Sequence, residues 1–306
     1  MQNLSVVIPV YNEPGLQRLL TELDLVREQL KAIDLGLELI FVDDGSDTRE
    51  GLNELIAYKG ERTDVHVLRL ARNFGSFQAI KAGFAEVSGD CFSMLAADLQ
   101  DPPHLLIEMA EKWQAGAKFV ICVRGERDDP FSTRFFASLY YRIIRRLAVP
   151  SFPPSGYDLS LMDRIMLPHL LNASVQVNFR LLAYWLGLEP QTISYKRMAR
   201  EDGATHWGLS KRINLFLESL IAFSNWPARA LASLGVLTSG ASLLAILSLL
   251  WTHFENLDGQ ILGLGIAAIA LLLGVGIAGL GLLAEYLYRI FNLVANKPEV
   301  MVSERY

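Results

Sequence analysis

Asp98-Leu99-Gln100-Asp101-Pro102-Pro103 gathers two carboxylates and an amide oxygen directly after the apolar run CFSMLAA (91–97), ahead of two prolines that stop a strand. These are hard oxygen donors. They suit Mg²⁺ or Mn²⁺ when a diphosphate and water fill the remaining positions. Asp98 is read as a metal ligand; Asp101 reads equally well as the cap of the helix after Pro102. A second acidic group, Asp43-Asp44-Gly45-Ser46-Asp47, also follows an apolar run. One of its carboxylates could accept from a ribose hydroxyl or a base N–H, although Asp-Gly-Ser is also ordinary turn chemistry. Tyr11 and Glu13 follow a third run and suit stacking on, and hydrogen bonding to, a base. Arg72-Asn73-Phe74-Gly75 follows a fourth.

The elements behind these clusters are legible. LSVVIPV (4–10), LELIFVD (37–43), VHVLRLA (65–71), CFSMLAA (91–97) and KFVICVR (118–124) show little apolar/polar alternation. That pattern predicts strands buried on both faces of a parallel sheet. Helix-length segments such as 15–33 and 77–87 separate them. The order predicts a doubly wound α/β sheet, whose ligands sit at the carboxyl ends of the strands. The polar clusters occur at those ends.

The chain has 306 residues and a net charge of −5, which argues against a nucleic-acid partner. Cys91 and Cys122 lie inside apolar runs and show no metal-ligand spacing, so buried thiols are expected. The chain opens without a secretory signal pattern.

The second half is built differently. Residues 131–149 and 209–226 mix basic, aromatic and apolar residues at helical spacing. They read as juxtamembrane helices at a membrane interface or, for 131–149, equally as an ordinary amphipathic core helix. Ala230–Trp251 and Ile261–Ala284 carry no charge. Each spans ~30 Å as a helix, enough to cross a bilayer. The connector 252–260 lacks Lys and Arg, whereas Arg229, Arg289, Lys297 and Arg305 flank the pair. Both ends are therefore expected on the cytoplasmic side. The expected organisation is a catalytic domain at 1–228, two transmembrane helices within 229–289, and a cytoplasmic tail at 290–306.

VVIPVYNE, FVDDGSD, RNFG and ADLQDPP, in this order, resemble the GT-A domain of glycosyltransferase family 2. With the two apolar spans, the chain resembles the polyisoprenyl-phosphate glycosyltransferases, relatives of dolichol-phosphate mannose synthase, and especially the bactoprenol glucosyltransferases. The resemblance implies a Rossmann-like GT-A fold and an enzyme of the bacterial inner membrane with its catalytic domain in the cytoplasm. It implies inverting transfer of a hexose, best matched by glucose from UDP-glucose, onto undecaprenyl phosphate. It also implies a homo-oligomer, with a tetramer the family's precedent. Pro9, Tyr11, Glu13, Asp43 and the adjacent Asp44 would hold the nucleotide. Asp98 and Gln100 would hold Mg²⁺ or Mn²⁺. Arg124 and Arg127 would face phosphate, Gly156-Tyr157-Asp158 would lie near the acceptor, and Arg200 would bind the acceptor's phosphate. Asp158 is a candidate base or orienting group, or else a helix cap.

Three positions depart from the family pattern. Ala96 stands where an aspartate is common, two residues before Asp98. His206, in Gly203-Ala204-Thr205-His206-Trp207, replaces a permanent cation. His104 replaces a glutamate after the prolines. Two other functions share these motifs: a processive polysaccharide synthase, which usually adds a Gln/Arg-x-x-Arg-Trp motif absent here, and a non-catalytic nucleotide-sugar sensor.

Overall fold

The computed structural model describes residues 1–13, 15–125, 131–147, 149–172, 178–196 and 302–306, with isolated helical positions between Gly265 and Ile290. Contacts divide the chain into two units, Met1–Ala222 with Pro298–Tyr306, and Phe223–Lys297.

The five apolar runs become β1 (Gln2–Val10), β2 (Leu35–Asp43), β3 (Val65–Leu70), β4 (Cys91–Met94) and β5 (Phe119–Arg124). Between them stand α1 (Gln17–Ala32), α2 (Glu50–Lys59), α3 (Ser76–Phe84) and α4 (Leu105–Gln114). β1 pairs in parallel with β2 and β4, and β2 with β3. Leu4, Val6 and Ile8 of β1 are buried on the face that packs with α1 and α4, and Val7 on the opposite face. There α3 sits flush on the sheet: a Cβ at Gly83 would press on the side chains of Val7 and Val42. Burial on both faces explains the missing alternation. Both cysteines are free and buried, and burial pushes the Cys122 thiol up to about 12.

Three strands complete the sheet beyond the sequence reading: β6 (Leu159–Asp163), β7 (Gln191–Tyr195) and β8 (Val302–Arg305). Among the described residues the order is β7-β5-β6-β4-β1-β2-β3-β8. β6 runs antiparallel between β4 and β5, β7 joins β5 in parallel, and β8 closes the β3 edge antiparallel. Six strands thus share one direction and β6 and β8 oppose it. β8 belongs to the stretch expected as a tail. The Tyr306 N–H extends its pairing, donating to the Val67 carbonyl at 3.0 Å. An edge covered in this way offers fewer unpaired backbone groups to other chains.

The remaining described elements are α5 (Phe131–Leu147), a 3₁₀ turn (Arg164–Met166), α6 (Leu167–Leu171) and α7 (Phe179–Trp185). On α5, Ile144 is fully buried, while Leu139, Arg142, Arg145 and Arg146 are exposed. Segments 209–226 and 230–251 lie outside the described residues, as does 261–284 apart from isolated helical positions. Among the described residues, no helix is long and apolar enough to cross a membrane.

At the opposite end of the sheet from the polar clusters, Asp163 closes β6. Its Oδ2 accepts from Lys118 Nζ at 2.7 Å and Trp113 Nε1 at 2.9 Å, and its Oδ1 from the Ile165 N–H at 3.1 Å. Burial acts to raise its pKa. The bonds from Lys118, Trp113 and Ile165 outweigh that and hold it below the ordinary aspartate value. The ionised form is therefore favoured in the folded state. Its stabilisation is present above pH ~4 and is lost as pH falls through the lowered pKa. Asp163→Asn is expected to cost about 2 kcal/mol at pH 7 and to flatten the fall in melting temperature below pH 4. Thermal melts of both proteins between pH 7 and 3 check this; parallel curves would refute it.

Candidate active site

The chain runs from β1 through β2 to β3 on one side, then crosses back to place β4 on the other side of β1. Such a reversal of direction is the place where doubly wound sheets bind ligands, at the carboxyl ends of the strands. Val7 turns its carbonyl towards β4, accepting from the Leu95 N–H at 2.9 Å. Alternation along β1 points the Pro9 nitrogen the same way, just beyond the last β1–β4 pair, Val7 with Met94. A proline is tolerated there because no ladder partner remains for the missing N–H. Pro9 thus marks the switch point between β1 and β4, with Tyr11 37% exposed beyond it.

On the β1–β2 side, the loops are laced together. Asn12 takes a left-handed φ of 51°, which asparagine tolerates well. Its side-chain amide donates to Asp47 at 2.7 Å, and its Oδ1 accepts from the Asp47 N–H at 2.9 Å. Asp43 is almost fully buried. It accepts from the Ser46 hydroxyl and faces Arg69 Nη1 at 3.3 Å. The two oxygens of Asp44 accept from the N–H groups of Phe74 and Gly75, both at 2.8 Å. Burial, opposed by these two bonds, leaves its pKa raised. Asp44 therefore fastens the DDGSD loop to the RNFG loop. Gly45, at φ 65°, passes directly under Arg72 and Asn73.

In the Asp98–Asp101 loop, Leu99 has a φ of 54°, an uncommon conformation for a branched apolar residue. The turn is closed by the Gln100 N–H, which donates to Asp98 Oδ1 at 3.2 Å. Asp98 and Gln100 are half-buried. Among the described residues no three of His, Cys, Asp and Glu gather into a metal cage. Two oxygen donors on one strained turn suit a cation that takes the rest of its ligands from substrate phosphate and water, the usual mode for Mg²⁺. Ala96 is half-buried just upstream, and His104 is exposed at the start of α4 without a side-chain capping bond.

Asp101 is not the cap that its place before Pro102 suggested. It is buried, and its Oδ1 accepts from the Tyr195 hydroxyl at the end of β7. The same hydroxyl lies 3.2 Å from Asp158 Oδ2. Asp158 opens β6 and takes both arms of Arg124: Nε to Oδ2 at 2.6 Å and Nη2 to Oδ1 at 2.9 Å. Burial acts to lower the Arg124 pKa, but the bond to Asp158 raises it further, so its charge is permanent. Next to Asp158, Tyr157 is buried and donates to the Arg180 carbonyl at 2.7 Å. Gly156, at φ 69°, packs against the Tyr141 ring of α5.

The structure thus gathers Pro9, Tyr11, Glu13, Asp43, Asp44, Asp98, Gln100, Arg124 and Asp158 at one edge of the sheet. Arg127, Arg200 and the Gly203–Trp207 stretch lie outside the described residues. Tyr195 was missed: ISYK carries no chemical signature, and only the pairing of β7 with β5 brings it to Asp101.

Comparison with known proteins places the chain in a family. The glycosyl transferase family 2 model matches residues 5–167. A glycosyltransferase of Synechocystis sp., itself uncharacterised, is 32% identical over 98% of this chain and 95% of its own length. The bactoprenol glucosyl transferase of Shigella phage SfII is 29% identical over 98% and 97%. The undecaprenyl-phosphate 4-deoxy-4-formamido-L-arabinose transferase of Yersinia enterocolitica is 30% identical over 99% and 94%. Among solved structures, glucosyl-3-phosphoglycerate synthase of Mycobacterium tuberculosis aligns with 72% of this chain and 78% of its own, at 18% identity and a TM-score of 0.48. With the family domain matched over more than half of its length and relatives similar from end to end, the chain belongs to glycosyltransferase family 2.

Proposed function

We propose that this protein transfers a hexose, glucose from UDP-glucose in the best-matched case, onto a polyisoprenyl phosphate at the cytoplasmic face of a bacterial membrane, with inversion at the anomeric carbon. The observation that carries the reading is one rim of the sheet, at the carboxyl ends of its parallel strands, with two different sides. Nucleotide-type loops (Tyr11–Glu13, Asp43–Asp47) line one side, the Arg124–Asp158 pair lies on the other, and Asp98 and Gln100 stand between. The names of the full-length relatives support the lipid-phosphate acceptor.

In this reading Asp98 and Gln100 hold Mg²⁺ or Mn²⁺. Bound there, the cation supplies Lewis-acid charge to the departing nucleoside diphosphate. Tyr11 stacks on the base and Glu13 and the Asp43–Asp44 loop position the nucleoside. Arg124, Arg127 and Arg200 bring bidentate cations to phosphate oxygens. The acceptor is a phosphate monoester with a second pKa of ~6, so it is largely dianionic at neutral pH. It needs orientation more than deprotonation. Asp158, with both oxygens occupied by Arg124, serves as the group that aims that arginine.

A polyprenyl tail also requires a membrane. The uncharged stretches 230–251 and 261–284 supply the anchor. Ile269, Leu272, Leu280, Leu283, Leu287 and Ile290 are exposed apolar positions at helical spacing, as a lipid-facing or subunit-facing stripe requires. The exposed Leu139, Arg142, Arg145 and Arg146 of α5 suit a surface of anionic headgroups.

The test is a donor screen with purified full-length protein, undecaprenyl phosphate and Mn²⁺ or Mg²⁺. Labelled sugar entering an organic extract supports the proposal. A long water-soluble polymer points to a processive synthase, and tight UDP binding without turnover points to a sensor; either defeats it.

A further inference from the structure

Asp43, Arg69 and Glu304 form one row across three strands. Asp43 of β2 is in register with Arg69 of β3, and Arg69 with Glu304 of β8. Alternation along β2 and β3 puts Asp43 and Arg69 on the side of Phe41 and Val67, where Leu52 and Leu55 of α2 pack. Arg49 stands at the entry to α2, and its Nη2 donates to Glu304 Oε1 at 2.6 Å. Charge therefore alternates along Asp43–Arg69–Glu304–Arg49. Asp43 ends β2 and Arg49 precedes α2, so the row begins and ends on the loop that carries Asp44 and Ser46.

Arg69 is the centre of the row. Its side chain is 16% exposed; Nη1 faces Asp43 Oδ2 at 3.3 Å, and Nη2 donates to the Ser46 carbonyl at 3.1 Å. One planar fork thus spans the start of the loop and its middle, a geometry that a lysine ammonium does not reproduce. Asp43 Oδ2 is buried and accepts no hydrogen bond, so the charge of Arg69 compensates it. Glu304 lies on the other side of the fork. The Tyr306 hydroxyl, and then the charges of Arg49 and Arg69, hold its pKa below the ordinary glutamate value. We propose that Arg69 is a positioning residue that fixes the nucleotide loop and that Glu304 holds the far side of the same row, which makes the C-terminal strand part of the donor subsite. The inference rests on the proposed transfer for the identity of the donor.

A loop that grips the nucleoside contributes equally to the bound substrate and to the transition state, so loosening it raises KM and spares kcat. Arg69→Lys keeps a charge beside Asp43 and gives up the fork. With purified full-length protein, calorimetry should show UDP affinity lower by about 10-fold, and the KM for UDP-glucose should rise by a similar factor with kcat unchanged within about twofold. Glu304→Gln removes the charge and keeps the shape. Because Glu304 and Arg49 are partly exposed, the loss of UDP affinity should be smaller, about threefold. A merely structural row would lower the melting temperature and the active fraction while leaving KM and UDP affinity unchanged, and that result overturns the proposal.

Glu86→Gln separates the row from the docking of β8 as such. Arg305 Nη1 meets Glu86 Oε1 at 2.9 Å, an ion pair that ties β8 to the end of α3 and not to the nucleotide loop. Glu86→Gln should leave UDP affinity at the wild-type level. A loss equal to that of Glu304→Gln would show that β8 acts only by staying docked, which overturns the role given to Glu304. The calorimetry needs no acceptor. UDP affinity that falls in Arg69→Lys and Glu304→Gln, in a protein that transfers no sugar to undecaprenyl phosphate, would instead refute the proposed transfer and support the row as the holder of the nucleotide loop.

Discussion

Asp98→Asn is expected to lower sugar transfer by roughly 10³-fold while leaving the fold intact. Asparagine keeps the shape and loses the charge. A divalent cation held by two side-chain oxygens and a diphosphate depends on the anionic one, so its replacement by an amide removes most of the affinity. Stability should hardly change. Asp98 is half-buried, and the one bond described for it is the local one from Gln100, which the asparagine oxygen can still accept. The melting temperature should stay within about 2 °C. Chelation of metal from wild type should produce the same loss, and chelator should have little further effect on the variant. An Asp98→Asn protein retaining a tenth of wild-type turnover would show that the charge is not needed at this position.

The second large effect concerns Gly45. Its φ of 65° alone penalises an L-residue by about 1 kcal/mol. A Cβ there would also stand 2.6 Å from Arg72 Cα and 2.8 Å from Asn73 N. Those are backbone atoms and cannot rotate away. Relief requires the 72–75 loop to move, which breaks the two bonds from Phe74 and Gly75 to Asp44 and leaves a buried carboxylate short of donors. Gly45→Ala should therefore cost about 4 kcal/mol or more, seen as a melting temperature lower by roughly 8–16 °C, and should weaken UDP binding. Gly116 supplies the control. It has a φ of 107°, with nothing within 4 Å of a would-be Cβ. Gly116→Ala should show the backbone penalty alone. Similar losses in the two variants would mean that close approach at Gly45 is unimportant.

The parallel part of the sheet was legible because its strands are buried on both faces, so their composition announces them. β6, β7 and β8 were not. LSLMD buries two polar residues, and QTISY is exposed at three of its five positions. β8 is four residues long and finds its partner more than 230 positions away. The site divides in the same way. Loops that follow a recognisable strand could be placed from sequence. The roles of Asp44, Asp101 and Asp158 could not, because each is decided by a partner at least 30 residues distant. A local helix cap explained Asp101 and Asp158 just as well until Tyr195 and Arg124 were seen beside them.

The edge strand β8 also sets an arithmetic rule for the long excursion between Lys196 and Val302. Tyr195 ends its strand opposite Arg124, and Val302 enters opposite Leu70, so the polypeptide departs from and returns to the same rim of one sheet. A folded sheet with its helices does not straddle hydrocarbon. Any traverses of a bilayer made by residues 197–301 must therefore pair off, each outward pass matched by an inward one. A single pass would require β8 to be peeled from β3.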